Sequence, residues 1–273
     1  MTSELELFDS HCHLDFDAFD GWRDRALLEA RRAGIRQILL PGVRARHWPR
    51  LLQLCRDQSA ADLALYPQLY PALGLHPCFM ADHLPEHLHQ LKHRLAARDA
   101  LAVGEIGLDF FIADARPEQQ QALLEQQLQL AGQFDLPLLL HVRKAHDQML
   151  KTLRRFRLPR GGIVHAFSGS EQQARIYIDL GFRLGFGGAI SYSRATKLRH
   201  LAAILPLESL VLETDAPDMP LSDWRDEPNR PQRVADVLAV MAQLRAQAAP
   251  EIARQTSANV RQVLGLPDAA IGR

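Results

Sequence analysis

The chain has 273 residues, with 32 Lys and Arg set against 32 Asp and Glu. This neutrality excludes a strongly basic nucleic-acid coat protein and a polyacidic tail, and 47% hydrophobic with 23% charged residues excludes a disordered chain. The length suits one α/β barrel, which routinely takes about 250 residues, as well as two smaller domains.

Glu4, Glu6 and Asp9 stand at the start, where an export signal needs positive charge and then an apolar core, and no later apolar run reaches membrane-spanning length. The expectation is a cytoplasmic protein with no membrane partner. Eight short apolar runs then recur along the chain, at 5–13, 35–41, 69–76, 101–105, 136–141, 162–165, 182–187 and 210–215. The segments between them carry helical spacing, as in Pro117–Phe134, where Pro117 suits a first turn and Leu124, Leu128 and Ala131 form a stripe. Each run is short and apolar enough to be buried on both faces. Eight strand and helix alternations of this kind favour a closed parallel (β/α)8 TIM barrel over an open doubly wound sheet. No linker-like composition divides the chain, so 1–273 reads as a single domain, and the tail 231–266 reads as closing helices broken near Pro250.

Barrel enzymes build their sites at the C-terminal ends of the strands. The runs end there on chemistry-bearing residues: His11 and His13 on the first, His76 on the third, Glu105 on the fourth, His141 on the fifth, His165 on the sixth and Asp215 on the eighth. His11 and His13 lie two apart in a strand-like run, so they point to one side and can hold one cation, while Cys12 points away. The same spacing means something else at His87, His89 and His93, where Leu84, Leu88, Leu91 and Leu95 mark a helix. Residues two apart there diverge by about 200°. Those three, with His47, His83, His146 and His200, read as ordinary surface or structural histidines. Cys12, Cys55 and Cys78 form no Cys-x-x-Cys pair and read as small buried hydrophobes.

Four histidines with Glu105 and Asp215 make a nitrogen and oxygen donor set suited to Zn, Mn, Mg or Ni ions. Six ligands exceed the needs of one catalytic ion. Two divalent ions about 3.5–4 Å apart are therefore expected, with Glu105, from a middle strand, as the bridge.

The motifs are Leu7-Phe8-Asp9-Ser10-His11-Cys12-His13-Leu14-Asp15, Gly74-Leu75-His76-Pro77, Val103-Gly104-Glu105-Ile106-Gly107-Leu108-Asp109, Pro137-Leu138-Leu139-Leu140-His141-Val142-Arg143, His165-Ala166-Phe167-Ser168-Gly169-Ser170 and Leu212-Glu213-Thr214-Asp215-Ala216-Pro217. On these, the chain resembles the TatD family of metal-dependent hydrolases and deoxyribonucleases, in particular its YjjV-like branch, from the first strand to the last. The resemblance implies a TIM-barrel phosphodiesterase. His11, His13, Glu105, His141, His165 and Asp215 match the family's ligand positions, and His76 matches a further active-site histidine. Ala166 stands where many relatives carry Cys, and Phe110-Phe111 replaces a more usual aromatic-polar pair; both bear on substrate choice and leave the ligands intact.

The expected chemistry is hydrolysis of a phosphodiester by water activated at the metals, with Asp215 orienting and deprotonating that water. His76 is placed to hydrogen-bond the phosphate or protonate the leaving group. Arg143, Arg194 and Arg230 follow strands five, seven and eight and are candidate phosphate contacts, with Tyr192 and Trp224 as stacking platforms. The basic stretch 151–160 precedes the sixth strand and belongs to the opposite end. Zero net charge suits a transient DNA or other phosphodiester partner, held by a monomer acting as a 3'-5' exonuclease on single-stranded ends. The competing readings are hydrolysis of a small amide or ester, hydrolysis of aminoacyl-tRNA esters, and a metal-binding module without turnover.

Overall fold

Eight strands carry the architecture: β1 (Leu7–Asp9), β2 (Ile35–Gly42), β3 (Gln68–Leu73), β4 (Ala102–Asp109), β5 (Leu138–Arg143), β6 (Gly162–Val164), β7 (Phe182–Phe186) and β8 (Leu210–Leu212). Each pairs in parallel with the next, in the order β1 to β8. The structure, a computed structural model, describes residues 6–267. The start of the first predicted run at Leu5, the acidic residue Glu4 and the last six residues of the predicted 1–273 domain lie outside the described residues.

The seam between β8 and β1 is held beyond the strands themselves. Ser10 N–H donates to the Leu212 carbonyl (3.0 Å), Asp215 N–H to that of His11 (2.8 Å) and His13 N–H to that of Ala216 (2.8 Å). The result is the expected (β/α)8 TIM barrel. β4 is buried at all eight positions, which is why its sequence runs almost without polar residues until Glu105 and Asp109. Gly107 is required by close packing in this strand: its φ is +154°, and a Cβ there would collide with the His141 carbonyl of β5.

Helices α1 (Arg23–Arg32), α2 (Trp48–Ser59), α3 (Pro85–Ala96), α4 (Pro117–Phe134), α5 (His146–Phe156), α6 (Glu171–Asp179) and α7 (Thr196–Ile204) connect the strands, and α8 (Val234–Arg245) and α9 (Ala249–Leu264) close the chain. α4 has the bounds its sequence predicts, and α3 carries His87, His89 and His93 as predicted. The basic stretch 151–160 ends α5 and leads into β6.

One layer of the core takes Phe8, Leu39, Ala72, Ala102, Leu139, Ile163 and Val211 from every strand except β7, and packs them with Val260, Val263 and Leu264 of α9. α9 is also tied to the strand starts: Ser257 Oγ accepts from Phe8 N–H (3.0 Å), and Asn259 Nδ2 donates to the Leu210 carbonyl (2.7 Å). These contacts fill the N-terminal end.

At the other end α4 contributes two buried amides. Gln127 accepts from Leu75 N–H (2.8 Å) and donates to the Leu75 carbonyl (3.1 Å), and Gln120 does the same for Asp109 (2.8 and 2.9 Å). A buried peptide group without a partner costs about 1–3 kcal/mol, so each glutamine fixes the chain where a strand hands over to a site residue.

Candidate metal centre

At the end of β1, the buried Asp9 carboxylate clasps two loops. Oδ1 accepts from His11 N–H (3.2 Å) and Thr214 N–H (3.0 Å), and Oδ2 from the Thr214 hydroxyl (2.6 Å). Burial pushes the Asp9 carboxyl up to about 8. The clasp sets His11 and His13 beside Asp215.

The floor of the mouth has two lobes. In one, His11 Nε2 and His13 Nε2 lie 3.2 Å apart, at 3.3 and 3.6 Å from Glu105 Oε2 and at 3.5 and 3.4 Å from Asp215 Oδ1. In the other, His141 Nδ1 lies 3.1 Å from Glu105 Oε1, and His165 Nε2 lies 3.6 Å from Asp215 Oδ2. The His165 ring stacks on that of His11 with centroids 3.6 Å apart. Glu105 and Asp215 thus each present one oxygen to either lobe.

This donor set fits divalent cations. His11 and His13 turn ring nitrogens toward each other and toward two carboxylate oxygens, while their Nδ1 atoms are buried without hydrogen-bond partners. Converging lone pairs of imidazole and carboxylate, without thiolate, are what a borderline or hard ion takes. The electrostatics agree. Glu105 and Asp215 resist the upward push of burial because His76, His11 and His165 crowd them, and both stay well below the usual carboxylate range. Burial, with His165 alongside, keeps His11 down. At His165, burial opposes the charged form, but Glu213 and Asp215 outweigh it and raise the ring well above its ordinary value.

His76 also reaches this floor. Its Nδ1 accepts from Cys78 N–H (3.1 Å), so its proton sits on Nε2, 3.2 Å from Glu105 Oε1. Burial lowers its pKa to about 4. His76 is thus a donor to Glu105, and it also lines the cavity above the floor.

Above the floor lies a cavity of about 520 Å³ with apolar walls of Phe16, Val43, Phe79, Val142 and Met219. Of the three predicted phosphate contacts, Arg143 lines it, its guanidinium 4.0 Å over the exposed Phe111 ring. Arg194 borders an adjoining depression that shares Ser168. Arg230 lines a separate depression with Trp22 and Glu29, with Glu227 3.5 Å from its charge and the Trp22 ring under its face.

Cys12 and Cys55 are buried as expected, whereas Cys78 is partly exposed in the cavity, with Sγ 3.4 Å from Asp109 Oδ2. His146 is a core histidine between Phe167 and Tyr177. Sequence reasoning gave no role to Asp109, which meets His141 Nε2 at 2.9 Å, or to Glu213, 3.1 Å from His165 Nδ1. The available signal was even spacing, four residues after Glu105 and two before Asp215.

The family profile described as TatD related DNase matches residues 8–265. The chain belongs to the TatD family. It is 46% identical to the uncharacterized metal-dependent hydrolase YjjV of Escherichia coli over 95% of this chain and 98% of that one. The crystal structure of that TatD homologue superposes with a TM-score of 0.90 at 44% identity, covering 96% of this chain and 98% of that one. A 3'-5' ssDNA/RNA exonuclease TatD of Erwinia billingiae is 32% identical over 96% of this chain and 100% of its own. This TatD protein is thus a metal-dependent hydrolase, with His, Glu and Asp side chains positioned to bind metal. Among the described residues no helix is long and apolar enough to cross a membrane.

Proposed function

We propose that the protein hydrolyses phosphodiester bonds at single-stranded nucleic-acid ends, working from the 3' end, with two divalent ions in the mouth of the barrel. The observation that carries this reading is the two-lobed floor, in which Glu105 and Asp215 each direct one oxygen to either pair of histidines. His11 and His13 would serve one ion, His141 and His165 the other, and the two carboxylates both. The ions, when bound, supply Lewis acidity that lowers the pKa of water and offsets charge on the phosphate.

The chain's own groups divide the remaining work. Both carboxylates of the floor line the cavity, and Asp215 is the more open, its side chain 13% exposed against 3% for Glu105. It is ionised and open to the cavity, which makes it the group to orient the attacking water and take up its proton. Neutral His76 keeps Glu105 oriented through its Nε2 proton. Arg143 meets an anionic group of the substrate, next to the apolar walls that exclude water.

A 520 Å³ cavity with a single arginine on its lining suits the end of one strand rather than a duplex, which needs several cations along its phosphates. The names of the relatives near 30% identity support the same choice. The test compares products from single- and double-stranded DNA oligonucleotides carrying a label at either end, with Zn, Mn or Mg supplied. Mononucleotides released from the 3' end of single strands are expected; dominant internal cutting of duplex would overturn the proposal.

A further inference from the structure

Two carboxylates stand behind the ligand histidines without touching the cavity floor. Asp109 Oδ2 accepts from His141 Nε2–H at 2.9 Å, on the side of the ring opposite Nδ1, which faces Glu105. Glu213 Oε1 faces His165 Nδ1 at 3.1 Å, on the side opposite Nε2, which faces Asp215. The two rings therefore present different nitrogens to the centre, and in each case a buried carboxylate sits at the other one. His141 is hydrogen-bonded on that side, whereas Glu213 meets His165 as an ion pair; among the described residues the Nδ1 atoms of His165, His11 and His13 make no hydrogen bond.

We propose that Asp109 and Glu213 are positioning residues that fix the tautomers of His141 and His165, so that Nδ1 of the first and Nε2 of the second are bare toward the metals. The proposal rests on the metal centre and is independent of which substrate is cleaved. A neutral imidazole carries one proton, and a carboxylate behind the ring claims it. Once the ring is neutral, the lone pair is on the inward nitrogen.

Both carboxylates are themselves held for this purpose. Asp109 Oδ1 accepts from Phe111 N–H (2.9 Å) and Ile112 N–H (3.3 Å), and Gln120 grips its peptide group, which leaves Oδ2 to His141 and the Cys78 thiol. Glu213 is buried, and its Oε1 also accepts from Ala166 N–H (2.6 Å). Its Oε2 has no hydrogen-bond partner, and the space it fills exists because residue 185 on β7 is glycine. A buried carboxylate oxygen without a partner costs stability, and orienting His165 gives it a reason to be there.

Amide substitutions separate orientation from mere packing. In Asp109→Asn the oxygen must stay with the Phe111 and Ile112 donors, so the amide NH₂ faces His141 Nε2 and drives the ring proton to Nδ1, the metal-facing atom. In Glu213→Gln the oxygen can keep both Ala166 N–H and His165 Nδ1–H, and the tautomer survives.

Zinc affinity of the metal-free proteins, measured by competition with a chromophoric chelator, should fall about 10–100-fold in Asp109→Asn and less in Glu213→Gln. Ring ¹⁵N resonances of the metal-free wild type, followed upward in pH until the ring is neutral, should report His141 as the Nε2–H tautomer. Unchanged zinc affinity in Asp109→Asn, an equal or larger loss in Glu213→Gln, or an Nδ1–H tautomer at His141 in the wild type would each overturn the proposal. If Asp109→Asn does not fold, the wild-type spectrum alone decides.

Discussion

Gly185 of β7 gives Glu213 its place: a Cβ at 185 would collide with the Glu213 carboxylate, which that strand position accommodates only because it has no side chain. β7 is also the one strand absent from the core layer beneath the site. Gly185→Ala should therefore act at a distance from any metal ligand, by pushing Glu213 off His165. Overpacking of this kind costs about 1–3 kcal/mol. Urea unfolding should show that loss, and zinc titration a weaker site than in the wild type.

The glutamines of α4 lead to a second expectation. Gln127→Leu leaves the N–H and carbonyl of Leu75 buried without partners, next to His76. The loss should be about 1–3 kcal/mol per stranded group, read by chemical denaturation. A surface substitution on the same helix, such as Gln126→Leu, should change stability by less than about 0.5 kcal/mol.

How much of this was readable beforehand follows from what each feature depends on. The eight apolar runs fall on the eight strands because burial on both faces writes itself into consecutive residues. The histidines and acids at the run ends converge because parallel strands put all their C-terminal ends at one mouth. The boundaries were less visible: the run 101–105 stops short of β4, which continues through Gly107 to Asp109. Asp109 stands beside Arg143 of β5, and Gly107 beside His141, in a register that includes an irregularity between Val103 and Ile106. No spacing in one strand reveals the register of its neighbour, so the pairing of Asp109 with His141 was hidden. The partners of Arg230 were hidden too, because loops carry no periodicity.

Removing metal should be visible without any substrate. An ion held at 100 times its Kd adds about 2.7 kcal/mol to the folded state, and a chain near this size shifts Tm by roughly 2–4 °C per kcal/mol. Chelation should lower Tm by about 5–10 °C, and zinc or manganese should restore it. An unchanged Tm would mean that the His11, His13 and Glu105 cluster holds no ion under those conditions.

The arginines give a contrast in kinetics. Arg143 lines the cavity, whereas Arg230 is spent on Glu227 and Trp22. A charged contact to a substrate anion is worth about 1.5–3 kcal/mol, so Arg143→Ala should raise KM roughly 10-fold or more, with kcat less affected. Arg230→Ala should leave both constants near wild type. Equal effects would place the substrate across the outer surface instead.

His146 should make the fold sensitive to mild acid. It is buried beside Tyr177, whose hydroxyl lies 3.3 Å from Nδ1, and its Nε2 has no partner. Burial lowers its pKa from 6.5 to about 4. Between those values the unfolded chain binds a proton that the folded chain refuses. The contribution to stability is therefore complete above pH 6.5 and falls as pH drops toward 4, by at most about 1.4 kcal/mol per unit. His146→Phe removes that proton. Urea unfolding of both metal-free proteins at pH 7 and pH 5 should show the variant losing about 2 kcal/mol less than the wild type over this interval. Other titrating groups act alike in both proteins, so equal losses would mean that His146 already binds its proton in the fold.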